Sequence, residues 1–173
     1  MNAILRQTNI RHHIVTQALL GSLFLALCSL ISIPIRPVPI TLQTFAIFVL
    51  ALIQRPSVAC ASVLFYLVEA TVGLPVLCGH SNPLWLFGPA GGYLVGFPLA
   101  AYITSSLKNR IHPFLAISIG SVVIYFFGFI WLSTFIGPYK ALISGVLIFI
   151  PVGLLKNGSA IVAAKWVSYV DRD

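Results

Sequence analysis

Acidic residues are nearly missing from this chain of 173 residues, which holds only Glu69, Asp171 and Asp173. Charged side chains of both signs make up 8% of it and hydrophobic ones 59%, where a soluble domain carries roughly 25% charged residues. At a mean hydropathy of +1.02, too little polar surface exists to coat a water-facing particle of this size. A soluble enzyme, a disordered chain and a disulfide scaffold are therefore excluded, and the chain reads as an integral membrane protein. With so few acids, an intramembrane hydrolase built on paired carboxylates is excluded as well. No His-x-x-x-His helix pattern, Gly-x-Ser-x-Gly elbow or Gly-rich loop ending in Lys-Ser/Thr occurs, so the sequence offers no zinc site, serine nucleophile or usual ATP site. The three cysteines, Cys28, Cys60 and Cys78, show no metal-like spacing, and no disulfide or metal is expected of them.

What is present is apolar length, broken by proline and glycine. A spanning helix needs about 20 mostly apolar residues. Six helices are predicted, at about 14–33, 41–54, 57–72, 91–107, 113–135 and 151–167, in a single all-α transmembrane domain over 1–173. The first is too long for a signal peptide, and Pro34-Ile-Arg-Pro-Val-Pro39 follows it instead of a cleavage site. Those prolines predict an extended loop. The second helix is short for a full span, which places its outer end inside protein. The stretch 139–167 reads either as a single long helix or as a short apolar segment, 139–150, that lies at the interface or dips in and out before a sixth helix; Pro151 favours a helix start and so the second reading.

The net charge of +7 comes from scattered cations, and no nucleic-acid partner is expected. They act as topology determinants instead. With both termini cytoplasmic, the inner side holds Arg6, Arg11, Arg55, Lys108, Arg110, Lys165 and Arg172, while the outer side holds Arg36 and Lys140. That asymmetry predicts a multi-pass protein of the cell membrane, surrounded by lipid, with the Gly- and Pro-rich loop 74–90 facing outward.

Few polar residues lie in the spans. Glu69, near the outer end of the third helix, must face a cavity, a partner or the interface. Lys156 lies at a similar depth on the sixth and either reaches the interface or meets a polar substrate; a Glu69–Lys156 contact would neutralise both. Thr41-Leu-Gln43-Thr44 opens the second helix, with Thr41 a candidate cap and Gln43 a two-sided amide suited to an amide or ureido ligand. Gly88-Pro-Ala-Gly91-Gly92-Tyr93 combines flexible backbone, free helix-start N–H groups and a polar-tipped aromatic, which suits either close approach of a ligand or a tight loop. Ala18, Ser22 and Ala26 form a stripe of small residues on the first helix, either an internal seam or a contact face. His12-His13 reads as a solvated pair, and Trp85, Trp131 and Trp166 as interfacial anchors.

Several of these strings together resemble the BioY family, the biotin-binding S-components of energy-coupling factor transporters. They are Pro37-Val-Pro-Ile-Thr-Leu-Gln-Thr-Phe45, Gly73-Leu-Pro-Val76, Gly88-Pro-Ala-Gly-Gly-Tyr-Leu-Val-Gly-Phe97, and Pro151 with Lys156, in family order across most of the chain. The resemblance implies a six-helix subunit that binds biotin from outside and takes its energy from a transmembrane coupling protein and two cytoplasmic ATPases. No cofactor is implied, since biotin is the cargo. Gln43, Glu69, Gly91, Gly92, Tyr93 and Lys156 are the implied ligand-binding residues, and Ala18, Ser22 and Ala26 the implied partner face. One departure stands out. The family pattern around the sixth helix resembles Pro-Gly-Asp-x-x-Lys, whereas here Gly153 takes the acidic position. Glu69 and Gln43 are the candidates to supply the missing acceptor. The rival readings are a small membrane enzyme, for which no nucleophile–base pair is visible, and a purely structural subunit.

Overall fold

The computed structural model describes residues 2–170, with side chains at 14–167 and 169. The His12-His13 pair, and Arg6, Arg11, Arg172, Asp171 and Asp173, fall outside the described side chains. Helix α1 (Asn2–Ser29) ends before the predicted Ile33. Its apolar run continues, but β1 (Ser32–Ile33) leaves the helix to pair with β2 (Ile40–Thr41), Ser32 opposite Thr41 and Ile33 opposite Ile40. The proline loop between them is thus the tip of a hairpin rather than a free extended strap. Because β2 holds Thr41, the N-cap position of the next helix falls on Leu42, which makes no side-chain cap bond, while Thr41 Oγ1 still accepts from the first helical N–H, that of Gln43, at 3.4 Å.

Helix α2 (Gln43–Ile53) is 11 residues long, and α3 (Pro56–Thr71) opens on a proline whose missing N–H costs nothing there. A single 3-10 turn, Trp85–Phe87, interrupts the loop before α4 (Gly91–Leu107). Helix α5 (Pro113–Ile136) again starts on proline. The remaining apolar stretch departs from expectation. Residues 139–150 are not a separate interfacial piece: α6 (Pro138–Leu142) runs through a π-turn (Ile143–Leu147) into α7 (Phe149–Val170). The i→i−5 bond from Ile148 N to Ile143 O lets the chain continue. Pro151, the third residue of α7, then lies inside a continuous helical run, four residues past Leu147 at the end of the π-turn, and gives that turn no backbone N–H.

Helix α1 packs on α3, α4 on α5, α3 and α2, and α2 on α7. Tyr66, Phe48, Leu25, Ile47 and Ile124 are almost wholly buried between them. In a bilayer, helix contact depends on close van der Waals fit, and small residues permit it. Gly21 on α1 shows this: a Cβ there would lie 2.3 Å from Ser62 Oγ of α3. The outward surface is apolar too, with Leu20 62%, Val122 64% and Leu155 74% exposed. Apolar faces of that extent suit lipid rather than water. Helix α5 and the run Pro138–Val167 are each long and apolar enough to cross a membrane. Among the described residues, every buried polar side-chain atom has a hydrogen-bond partner, as a lipid-embedded interior requires.

Candidate functional site

A cavity of about 290 Å³ lies where the helix ends meet the proline hairpin and loop 74–90. Pro37, Val38 and Pro39 of the hairpin, with Leu77, Cys78, His80, Asn82 and Trp85 of the loop, form its roof. Its floor and walls come from Gln43 and Thr44 of α2, Tyr93, Leu94 and Phe97 of α4, Ile124 and Tyr125 of α5, and Phe149, Gly153 and Lys156 of α7. Such a size, mainly apolar with few polar groups, suits a small ligand.

Hydrogen bonds from the helices pin the roof. Val76 O accepts from Ser29 Oγ at 2.5 Å and from Tyr66 OH at 3.0 Å. Trp85 Nε1 donates to Thr71 Oγ1 at 3.0 Å, and Trp131 Nε1 to Gly88 O at 2.9 Å. Two of the three tryptophans are therefore struts of the loop rather than interfacial anchors; Trp166, 68% exposed, alone keeps that reading. At the loop's tip, Leu77 and His80 pair across Cys78 and Gly79, whose φ angles of 54° and 76° are both in the left-handed region. That is the backbone of a mirror-image two-residue turn, which glycine adopts freely and cysteine with strain.

Two polar side chains dominate the wall. Lys156, half-buried, donates from Nζ to Thr41 O at 2.6 Å and to Thr44 Oγ1 at 3.4 Å. An ammonium carries three donors, so one remains for the cavity. Gln43, buried, accepts at Oε1 from Thr41 Oγ1 at 2.8 Å and donates from Nε2 to Tyr66 OH at 2.5 Å. Its amide is thus oriented, with one further N–H and one lone pair to offer. The residues lining the cavity include no carboxylate.

The sequence-derived candidates divide on this geometry. Gln43, Tyr93 and Lys156 meet at the cavity. Tyr93 supplies its ring, because its hydroxyl is taken: it donates to Gly145 O of the π-turn at 2.8 Å. The side chain packs on two glycines: a Cβ on Gly128 would come within 2.2 Å of the ring, and one on Gly145 within 2.4 Å of the hydroxyl. Gly91 and Gly92 do not line the cavity. A Cβ at Gly91 would meet Leu86 O at 2.3 Å and one at Gly92 would meet Trp131 Cβ at 2.3 Å, so they are packing glycines; Gly88, Pro89 and Ala90 are the residues that approach the cavity.

Glu69 is absent from the cavity, and no contact joins it to Lys156. It accepts instead from Ser22 Oγ at 2.7 Å. Glu69 lies two turns along α3 from Ser62, on the side that meets α1, while Lys156 packs on α2. The small-residue stripe is corrected by the same contact. Ala18 and Ser22 are 0% and 1% exposed and Ala26 packs on the core, so the stripe is an internal seam between α1 and α3, with no surface there for a partner.

Tyr125 is a cavity residue that sequence reasoning missed. A Cβ on Gly153 would lie 2.5 Å from its hydroxyl, which donates to Phe149 O at 3.2 Å. Gly153 therefore leaves room that a tyrosine from a different helix fills, a pairing with no signal along the chain.

The BioY family model matches residues 3–172 of the chain. A probable biotin transporter BioY of Pyrococcus horikoshii is 37% identical over 150 residues, 84% of this chain and 92% of that protein. One of Rickettsia prowazekii is 33% identical over 148 residues, 82% of this chain and 76% of its own length. The crystal structure of the S-component for biotin from an ECF-type ABC transporter superposes with a TM-score of 0.80 at 28% identity, covering 95% of this chain and 94% of that one.

Proposed function

The chain belongs to the BioY family, and on that premise we propose that the cavity under loop 74–90 is where it holds biotin. The protein is a membrane-embedded biotin-binding subunit for vitamin uptake. It binds without catalysing; its relatives carry the name of biotin transporters, and the solved neighbour is an S-component. Biotin combines an apolar bicycle, a ureido group and a carboxylate. A mainly apolar pocket encloses the first, while each buried polar group needs a partner or costs about 1–3 kcal/mol.

The observation that carries this reading is Lys156. Its amine is fixed by Thr41 O at the cavity wall with one N–H unspent, a donor for the ligand's carboxylate or ureido oxygen. Gln43 and the Tyr125 hydroxyl, both on the wall, are proposed to serve the ureido N–H groups in place of an acid. No cofactor enters this scheme. Energy is proposed to come from a transmembrane coupling protein and two cytoplasmic ATPases, consistent with a chain that lacks a nucleotide-binding loop. The proposed setting is multi-pass with both termini cytoplasmic. Loop 74–90 and the cavity then open outward, and the cation asymmetry supports that orientation.

The test is retention. Purified chain alone, without nucleotide, should hold radiolabelled biotin through gel filtration and release it to excess unlabelled biotin. A chain that emerges folded but unlabelled at every concentration tried contradicts the reading.

A further inference from the structure

A second cavity, of about 390 Å³, opens at the opposite end of the helices. Leu52 closes α2 there, Lys108 and Asn109 follow α4, and Ile161, Lys165 and Tyr169 come from α7. No residue lines both cavities, and along α4 Phe97 of the first and Lys108 of the second are 11 residues apart, about 16 Å at the usual helical rise. It is a different site.

Its chemistry is graded along the helix axis. Ile161, Lys165 and Tyr169 follow one another at four-residue spacing, so one row of α7 passes from apolar through cationic to phenolic towards the helix end. Leu52 stands with Ile161 on the apolar side. The polar side is rich in donors, two ammonium groups, an amide and a phenol, and among the described residues no carboxylate lines it. Glu69, the one acid among the described residues, lies near the far end of α3.

The two lysines are in different states. Lys108 Nζ donates to Ala51 O at 3.1 Å and to Gln54 O at 2.5 Å, which caps the C-terminal end of α2 and leaves one N–H. Lys165 is exposed and meets no acceptor among the described residues. Burial also draws Lys108 below its usual pKa, an effect that an anion beside it would reverse. Two cations sharing a cavity repel one another until an anion enters.

We propose that this cavity binds a phosphate group, supplied by the headgroup of an anionic phospholipid in the adjoining leaflet. A phosphodiester presents acceptors to both ammonium groups, and its acyl chains continue along apolar α7, where Val162 and Trp166 are 69% and 68% exposed. Basic pockets between spanning helices on the cation-rich side of a membrane take acidic headgroups in this way. Free phosphate shares the anion chemistry but lacks the chains.

The full-length chain, purified in neutral detergent, is incubated separately with phosphatidylglycerol, phosphatidylcholine and inorganic phosphate, then examined by native mass spectrometry and thermal unfolding. Phosphatidylglycerol should be retained several-fold better than phosphatidylcholine and should raise the melting temperature, with inorganic phosphate weaker than either effect requires. Lys165→Gln should cut the preference about fivefold, the contribution expected of one basic residue. Lys140→Gln, at the other end of the molecule, should leave it unchanged. Equal retention of the two lipids, or a preference that survives in Lys165→Gln, overturns the site. Stabilisation by inorganic phosphate equal to that by phosphatidylglycerol overturns the lipid as the source. Lys165→Gln is preferred over a Lys108 variant because Lys108 also caps α2.

Discussion

Lys156 of α7 donates its ammonium to the carbonyl oxygen of Thr41, 2.6 Å away at the base of the proline hairpin and 115 residues earlier in the chain. The contact joins the last helix to the edge of the cavity and fixes where the charge sits. A lysine so placed is half-desolvated, and two neutral acceptors offset that cost only in part. A ligand acceptor on its remaining N–H would complete the shell. Lys156→Met keeps the apolar stem and removes charge and donors. Equilibrium titration should show biotin affinity falling about tenfold to a hundredfold, the range for hydrogen bonds to charged groups, with insertion and melting behaviour retained. Unchanged affinity would mean that the amine serves the Thr41 contact alone.

Tyr125 and Gly153 form a coupled pair. Because a Cβ on Gly153 would reach the Tyr125 hydroxyl at 2.5 Å, Gly153→Ala should displace that hydroxyl and weaken biotin binding. In Tyr125→Phe the obstructing atom is gone. The double variant should therefore bind no worse than Tyr125→Phe alone, a non-additivity of the kind seen between touching residues. Strict additivity in the binding energies would place the two residues in independent roles.

Glu69 is a structural residue. Ser22→Ala removes its hydrogen-bond donor and should cost about 1–3 kcal/mol of stability, seen as a lower melting temperature, while biotin affinity stays within about twofold by the small energy such a remote change carries. A large loss of affinity with stability intact would return Glu69 to the binding site.

Cys78 reports on the loop. Burial raises its thiol above the usual pKa, and a bond involving Ser32 offsets part of that. Its thiolate fraction at neutral pH is then below that of a free cysteine. An impermeant maleimide applied to intact cells should label Cys78 slowly, faster as pH rises past the point where a free thiol levels off, and more slowly with biotin present, since Cys78 lines the cavity. Labelling confined to opened cells would reverse the proposed orientation.

The helices were legible because their apolar runs end at prolines and glycines, and α4 begins at Gly91 and ends at Leu107 as predicted. The run into α7 was one of two readings of 139–167, and Pro151 tipped the choice the other way. Pro151 has the chemistry of a helix start, and nothing along the chain announces the π-turn, whose Gly145 O accepts from the Tyr93 hydroxyl of a different helix. The site divides in the same way. Lys156, Gln43 and Tyr93 were found by their chemistry and by a family resemblance. Glu69 was misplaced because depth in a membrane says nothing of helix phase: the same carboxylate serves the cavity or α1 according to which side of α3 carries it.

The central claim is that biotin occupies the cavity beneath loop 74–90, and the position of the bound ligand tests it most directly. A photoreactive biotin analogue, crosslinked to the purified chain and mapped by peptide mass spectrometry, reads that position. The account predicts saturable adducts on loop 74–90 and the adjoining ends of α2, α4 and α7, all suppressed by unlabelled biotin. Biotin-sensitive adducts confined to the Lys108 and Lys165 end, or adducts that biotin does not suppress, would contradict it.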